Sequence, residues 1–168
     1  MFKRAGFGGG CHWCTEAVFS SLKGVQSVQQ GWIASTGADT SLSEGVIVTF
    51  DDGLISFATL IAIHLYTHSS TSEHPMRGKY RSAVYTFDEC GEQAAHAAIE
   101  AVQAEFNEAI ITKVLPYQSF TLSRKELLDY YFNDPQKPFC ELYINPKLKL
   151  IMERFSTAAN HDKLKHLQ

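Results

Sequence analysis

Residues 6–19 read GFGGGCHWCTEAVF, with three glycines running directly into two cysteines that bracket a histidine and a tryptophan. Upstream, Arg4 to Phe7 suits a short strand that the glycines end. Downstream, Cys14, Ala17, Val18, Ser21 and Leu22 recur at helical spacing until Lys23-Gly24 supplies a stop. The stretch therefore predicts strand, glycine turn and helix, with Cys11 at the helix mouth and Cys14 on the apolar stripe.

Outward from that unit, Val25 to Ile33 predicts a strand, a polar loop runs through Thr36, Gly37 and Asp39, and Gly45 to Phe50 is the clearest strand of the chain. Asp51-Asp52-Gly53 ends it. Ser56 can cap a helix carrying Phe57, Leu60, Ile61 and His64. Thr67 to Lys79 is polar and aperiodic, and a loop of that length inside a compact domain is often functional. Tyr80 to Phe87 predicts a strand, Glu92 to Phe106 a helix with the stripe Ala95, Ile99, Val102 and Phe106, and Ile110 to Leu115 a further strand. Strands and helices in this order predict an α+β fold, a ferredoxin-like α/β plait with a mixed, partly antiparallel sheet. The rest, about 117–168, is expected to wrap the core as an extended C-terminal segment. It has a short helix from Arg124 to Tyr131, a turn at Asn133-Asp134-Pro135, and a last helix opening at Asn145-Pro146, where proline suits the first turn.

The 168 residues suit one catalytic domain over 1–168, and the net charge of −3 presents no basic face for nucleic acid. MFKRAGFGGG has no signal-peptide core, and no apolar run reaches the roughly 20 residues that span a bilayer. A soluble, cytoplasmic monomer is expected. In such a compartment the four cysteines are free, catalytic or metal-bound sooner than a disulfide framework.

A thiol in the first turn of a helix meets the positive end of the helix dipole and unpaired N–H groups, which favour thiolate and lower the pKa from about 8.5. Cys11 is the candidate nucleophile. Cys14, three residues on, can reach it to form a disulfide, or is simply a small core residue. Cys90, beside Asp88-Glu89, sits where acidic neighbours disfavour a thiolate. A metal site would need Cys11 and Cys14 with His64, His68, His74 or Cys90, but no second pair of ligands at finger-like spacing accompanies them, so none is expected.

Beyond this point the chain resembles the peptide methionine sulfoxide reductases of the A type. GGGCHWCTEAVF is similar to their G-C-F-W motif with an acidic residue shortly after, and SEGVIVTFD to H-A-E-V-V-x-V-x-Y-D. KYRSAVYTF resembles Q-Y-R-S-A-I-F, and PFCELYINPKL resembles P-Y-C-x-x-x-x-P-K-x. The spacing from His64 to Ser82 also matches without a gap. The resemblance implies reduction of methionine (S)-sulfoxide, in proteins or free, by the Cys11 thiolate. Glu44, its pKa raised by burial, and Tyr80 would hydrogen-bond or protonate the oxygen. Trp13, with His12 and Trp32, would line the substrate pocket. Cys14 or Cys140 would resolve the sulfenic acid for recycling by a thioredoxin-like reductant, with no cofactor.

Three positions depart from the pattern. His12 replaces a phenylalanine beside the nucleophile, Trp32 a tyrosine, and Pro75 an aspartate that organises the polar side of the pocket. The resemblance then leaves that task to His68, Ser69, Ser70 or His74. The loop between Trp32 and Glu44 is also short, and a divergent subgroup with altered substrate preference is expected. Two other classes fit the cysteines alone: a general thiol:disulfide oxidoreductase using Cys11 and Cys14, and a non-catalytic metal-binding module.

Overall fold

The computed structural model describes residues 1–168. The chain runs β1 (Phe2–Gly8), α1 (His12–Ser20), β2 (Val25–Ala34), β3 (Ser43–Asp51), α2 (Phe57–Thr67), β4 (Ala83–Thr86), α3 (Glu89–Val102), β5 (Lys113–Pro116), β6 (Ser119–Leu122), α4 (Tyr130–Asn133) and α5 (Asn145–Arg154). The result is an α+β fold on a six-stranded mixed sheet of order β5-β4-β1-β3-β2-β6. Only β4 and β5 pair parallel; the other neighbours are antiparallel.

Strand periodicity divides the sheet into two faces. From β1 and β3, Ala5, Phe7, Val46, Val48 and Phe50 join Ala17, Val18 and Phe19 of α1 and Leu60, Ile61 and Ile63 of α2 in the main core. Ile47, with Ile33, Ala83 and Tyr85, packs on the opposite face under Leu115, Tyr117 and Phe120. α1 is buried at His12 and from Cys14 through Phe19. It lies between β2 and β3 on one side and α4 and α5 on the other, which is why no solvated face interrupts it.

That sandwich explains a buried carboxyl. Glu16 accepts from Gln30 Nε2 at 2.8 Å, from the Asp129 N–H at 2.9 Å and from the Tyr130 N–H at 3.2 Å. Burial pushes its pKa up, and these donors oppose the shift. The side chain thereby ties the C-terminal segment to α1.

The observed elements differ from expectation where local pattern is weak. The β6 strand was not anticipated; it adds to the β2 edge through the register Gly31↔Leu122 to Ala34↔Ser119. Four residues with little burial carry no usable alternation. The helix expected over Arg124 to Tyr131 is instead a 3-10 turn, Lys125–Leu127, and the short α4, separated at Asp129, whose φ of 55° breaks the helix. Tyr80 lies in a bend ahead of β4 rather than within the strand. The α3 helix starts earlier than Glu92, because Asp88 caps it by accepting from the Gly91 N–H at 2.7 Å. A single π turn, Cys140–Ile144, leads into α5. No helix is long and apolar enough to cross a membrane.

Candidate active site

Cys11 is the N-cap of α1, its carbonyl accepting from the Cys14 N–H at 3.0 Å and the Thr15 N–H at 3.2 Å. The neighbouring Cys14 thiol is the main cause lowering the Cys11 pKa from its ordinary value. Burial opposes it, the backbone N–H groups of Trp13 and Cys14 add to it, and a charge on Glu44 works against it. The same pairing acts in reverse on Cys14, whose pKa is raised by Cys11 and then by burial. Of the two thiols, Cys11 is therefore the one favoured as thiolate.

Glu44 is 7% exposed on β3, opposite Trp32 in the β2–β3 register. Its Oε1 accepts from the His12 N–H at 3.1 Å, which pins the carboxyl to the start of α1 beside Cys11. His12 Nε2 lies 3.6 Å from the same oxygen, and Lys79 Nζ lies 3.5 Å from Oε2. His12 is 5% exposed, its Nδ1 2.8 Å from the Gly31 carbonyl and its ring edge-on to Trp32 at 5.2 Å. His12 and Trp32 therefore pack behind Glu44 and do not line the open side of Cys11.

That open side is a cavity of about 610 Å³ bounded by Cys11, Cys14, Tyr80, His68, Phe139 and Lys147 among others. Trp13, expected to form its apolar wall, is half-buried, and neither it nor Glu44 is among the lining residues. Tyr130 stacks on Trp13 at 4.1 Å and 8°, and Phe139 meets it edge-on at 5.5 Å. The C-terminal segment thus packs on the half-buried tryptophan, and Phe139, Leu142, Tyr143 and Met76 supply apolar surface to the cavity.

The polar side is built by α2 and the loop after it. His64 Nε2 is 2.9 Å from the Gly8 carbonyl, and the His64 and His68 rings stack at 4.1 Å. A Cβ at Gly9 would come within 2.4 Å of the His68 ring, so the close approach of turn and histidine requires glycine there. His68 Nε2 continues to Ser82 Oγ at 2.8 Å. Of the four groups offered in place of the aspartate at position 75, His68, Ser69 and His74 reach the cavity. Ser70 instead donates to the Leu65 carbonyl at 2.8 Å.

Arg77 was not foreseen. It donates from Nη1 to the carbonyls of Gly9 and Tyr80, both at 2.9 Å, from Nη2 to that of Ser69 at 2.6 Å, and from Nε to that of Ser72 at 2.9 Å. One guanidinium thus joins the glycine turn, Tyr80 and the loop. Hydrogen bonds to backbone carbonyls leave no mark on sequence, so the residue reads as one more solvated charge.

Burial lowers the pKa of His64 to about 4 and that of His68 well below its ordinary value. In the unfolded chain both take up protons below about pH 6.5. Their contribution to stability is therefore full above about pH 6.5 and falls as the pH drops toward 4, by up to about 1.4 kcal/mol per pH unit for each ring. Urea unfolding at intervals across that window should show the decline, and His68→Gln should flatten it. A wild-type slope unchanged by the substitution would mean that the ring is not held neutral.

Cys140 is fully buried in the π turn, and burial raises its pKa. Cys90 is exposed at the start of α3. No three His, Cys, Asp or Glu side chains are arranged to hold one metal ion.

A mixed sheet carrying a helix-start thiol, a second thiol one turn on and a carboxyl at the same helix mouth defines a thiol-based redox protein. The family described as Peptide methionine sulfoxide reductase matches residues 3–159. A peptide methionine sulfoxide reductase MsrA of Deinococcus radiodurans is 34% identical over 169 residues, covering 91% of this chain and 82% of its own. Mxr1 of Saccharomyces cerevisiae in its reduced form superimposes with a TM-score of 0.72 at 20% identity, over 83% of this chain and 89% of that one. The structure of Mxr1 in complex with Trx2 superimposes with a TM-score of 0.62 at 16% identity, over 74% and 83%. The chain belongs to the peptide methionine sulfoxide reductase family, A type. Its reaction is the reduction of peptide-methionine (S)-S-oxide, which replaces both the thiol:disulfide and the metal-module readings of the cysteine pair.

Proposed function

We propose that Cys11 performs this reduction as the nucleophile, on a ferredoxin-like plait whose central strands run in the order β4-β1-β3-β2. The observation carrying the reading is the placement of Cys11 at the start of α1 with Cys14 on the same cavity, and of Glu44 held at the same helix mouth by the His12 N–H. The Cys11 thiolate attacks the sulfoxide sulfur while Glu44, assisted by Tyr80, delivers a proton to the oxygen. The S–O bond breaks, methionine leaves, and Cys11 is left as a sulfenic acid. Apolar groups of the cavity, Phe139, Leu142 and Met76, receive the methyl group and hold water away from the reacting sulfur.

Cys14 then resolves the intermediate. Its sulfur bonds to that of Cys11, the Cys11 S–OH bond breaks, and hydroxide leaves as water with the proton of Cys14. Proximity favours Cys14 over Cys140, which is sealed in the π turn. A thioredoxin-like dithiol returns the two electrons and two protons; the Mxr1–Trx2 complex supports that choice of partner. One domain over 1–168, acting as a cytoplasmic monomer, accounts for every group in this scheme.

Incubation with a small dithiol and each epimer of a blocked methionine sulfoxide tests the reading. Only the S epimer should be consumed. After one turnover without reductant, peptide mapping should find Cys11 joined to Cys14. Consumption of the R epimer, or of neither, would contradict the assignment, and a Cys11–Cys140 bridge would remove Cys14 from it.

A further inference from the structure

Resolution of the sulfenic acid presents an electrostatic problem that the groups named so far do not solve. Cys14 must lose its proton to attack Cys11, yet it is buried, and burial favours the neutral thiol. Removing the proton requires a positive charge nearby. The tail stretch PFCELYINPKL contains such a charge, in a residue to which the sequence assigned no role.

Lys147 lies in the first turns of α5, which packs against both α1 and α2. It lines the same cavity as Cys11 and Cys14. Its ammonium donates to the carbonyl of Thr67, the last residue of α2, and forms no salt bridge with any carboxylate. An ammonium has three N–H donors, so one carbonyl leaves it unsaturated. Burial lowers its pKa, and Cys14 and then Cys11 from α1 oppose that shift, while from α2 it faces His64 and His68, both held neutral. A half-buried cation without an acidic partner is costly, and the Cys14 and Cys11 sulfurs on the same cavity offer sites where a compensating negative charge can form.

We propose that Lys147 is the group that makes Cys14 reactive in the resolving step, its ammonium stabilising the Cys14 thiolate as that sulfur attacks the Cys11 sulfenic acid. The proposal rests on Cys14 being the resolving thiol. The proton that leaves Cys14 ends in the water formed from the departing hydroxide, and Lys147 remains an ammonium throughout. Before the first step, the same charge favours the negative sulfur of Cys11, but less, since Cys14 is its stronger partner. Placing the lysine on α5 makes the C-terminal segment part of the recycling chemistry as well as packing for Trp13.

The two half-reactions can be separated. Rapid-quench experiments on the full chain, without reductant, measure methionine formation and Cys11–Cys14 disulfide formation in wild type, Lys147→Met and Lys147→Arg. Removal of an opposite charge from a thiol lowers its thiolate fraction by about tenfold or more at neutral pH. Disulfide formation in K147M should slow by about that factor, beyond any change in methionine formation, and a dimedone-reactive sulfenic acid should accumulate on Cys11. The defect should shrink as pH rises and hydroxide deprotonates Cys14 directly. K147R, which keeps the charge, should restore most of the rate.

Disulfide formation in K147M at the wild-type rate would overturn the proposal. So would a parallel fall in both half-reactions together with the melting temperature, unrelieved in K147R, since that pattern marks a cap on the α2 carbonyls and nothing more. A wild-type disulfide mapped to Cys11 and Cys140 would also overturn it, but through failure of the resolving assignment, which the mapping reports independently of any lysine variant.

Discussion

Cys11→Ser should abolish methionine sulfoxide reduction, with a loss of at least about a thousandfold in kcat/KM, as expected when the sole nucleophile of a site is removed. A serine hydroxyl is not ionised at neutral pH, and neither the Cys14 thiol nor the N–H groups of α1 can make it so. The substitution should not cost stability. Serine is among the preferred helix N-caps, and the cysteine it replaces makes no side-chain cap hydrogen bond. A melting temperature at or above that of wild type with no detectable methionine in a stoichiometric assay is therefore the expected pair of results. Residual single-turnover activity would move the nucleophile to Cys14, the remaining thiol in the same cavity.

Glu44→Gln should lower kcat by a hundredfold or more while leaving KM close to wild type, in keeping with the roughly 10²–10⁴ that positioned proton donors contribute. Glutamine preserves the volume of the side chain and an oxygen to accept the His12 N–H, so α1 keeps its start. What it removes is a carboxyl able to carry a proton to the sulfoxide oxygen. The ion pair with Lys79 is lost too, but that lysine side chain is 55% exposed, and such pairs contribute little. Steady-state kinetics with the S epimer, alongside thermal unfolding, would separate chemistry from folding. Activity within a few-fold of wild type would transfer the proton donor's role to Tyr80, which faces the cavity from the other side of the glycine turn.

The parts of this site that could be read from sequence are those that depend on neighbours in the chain. The glycine turn into α1 follows from GFGGGCHWC itself, and β3 from its alternation, so Cys11, Cys14 and Glu44 stand on elements that local pattern predicts. Long-range packing is what the residues conceal. Tyr130 reaches Trp13 across more than a hundred positions, and nothing near either tryptophan or tyrosine announces the stack. Consequently Trp13 reads as a pocket wall from its neighbours alone, with no sign of the C-terminal rings that pack on it. His12 reads as a titratable ring beside the nucleophile, whereas it turns inward to the Gly31 carbonyl and the Glu44 carboxyl. Arg77 and Lys147 both act through backbone carbonyls and sulfur, partners that have no compositional signature. The β6 strand escaped for a different reason: its four residues are held by pairing to β2 rather than by any preference of their own.

The proposed reaction depends on the ionisation of one sulfur. Iodoacetamide labelling of the reduced protein from about pH 5 to pH 10, with peptide mass spectrometry to follow each thiol separately, measures it directly. Cys11 should reach half-maximal reactivity below the ordinary thiol value of about 8.5 and should label far ahead of Cys14 and Cys140. Half-maximal labelling of Cys11 at or above that value, or Cys14 reacting first, would contradict the assignment of the negative charge to Cys11.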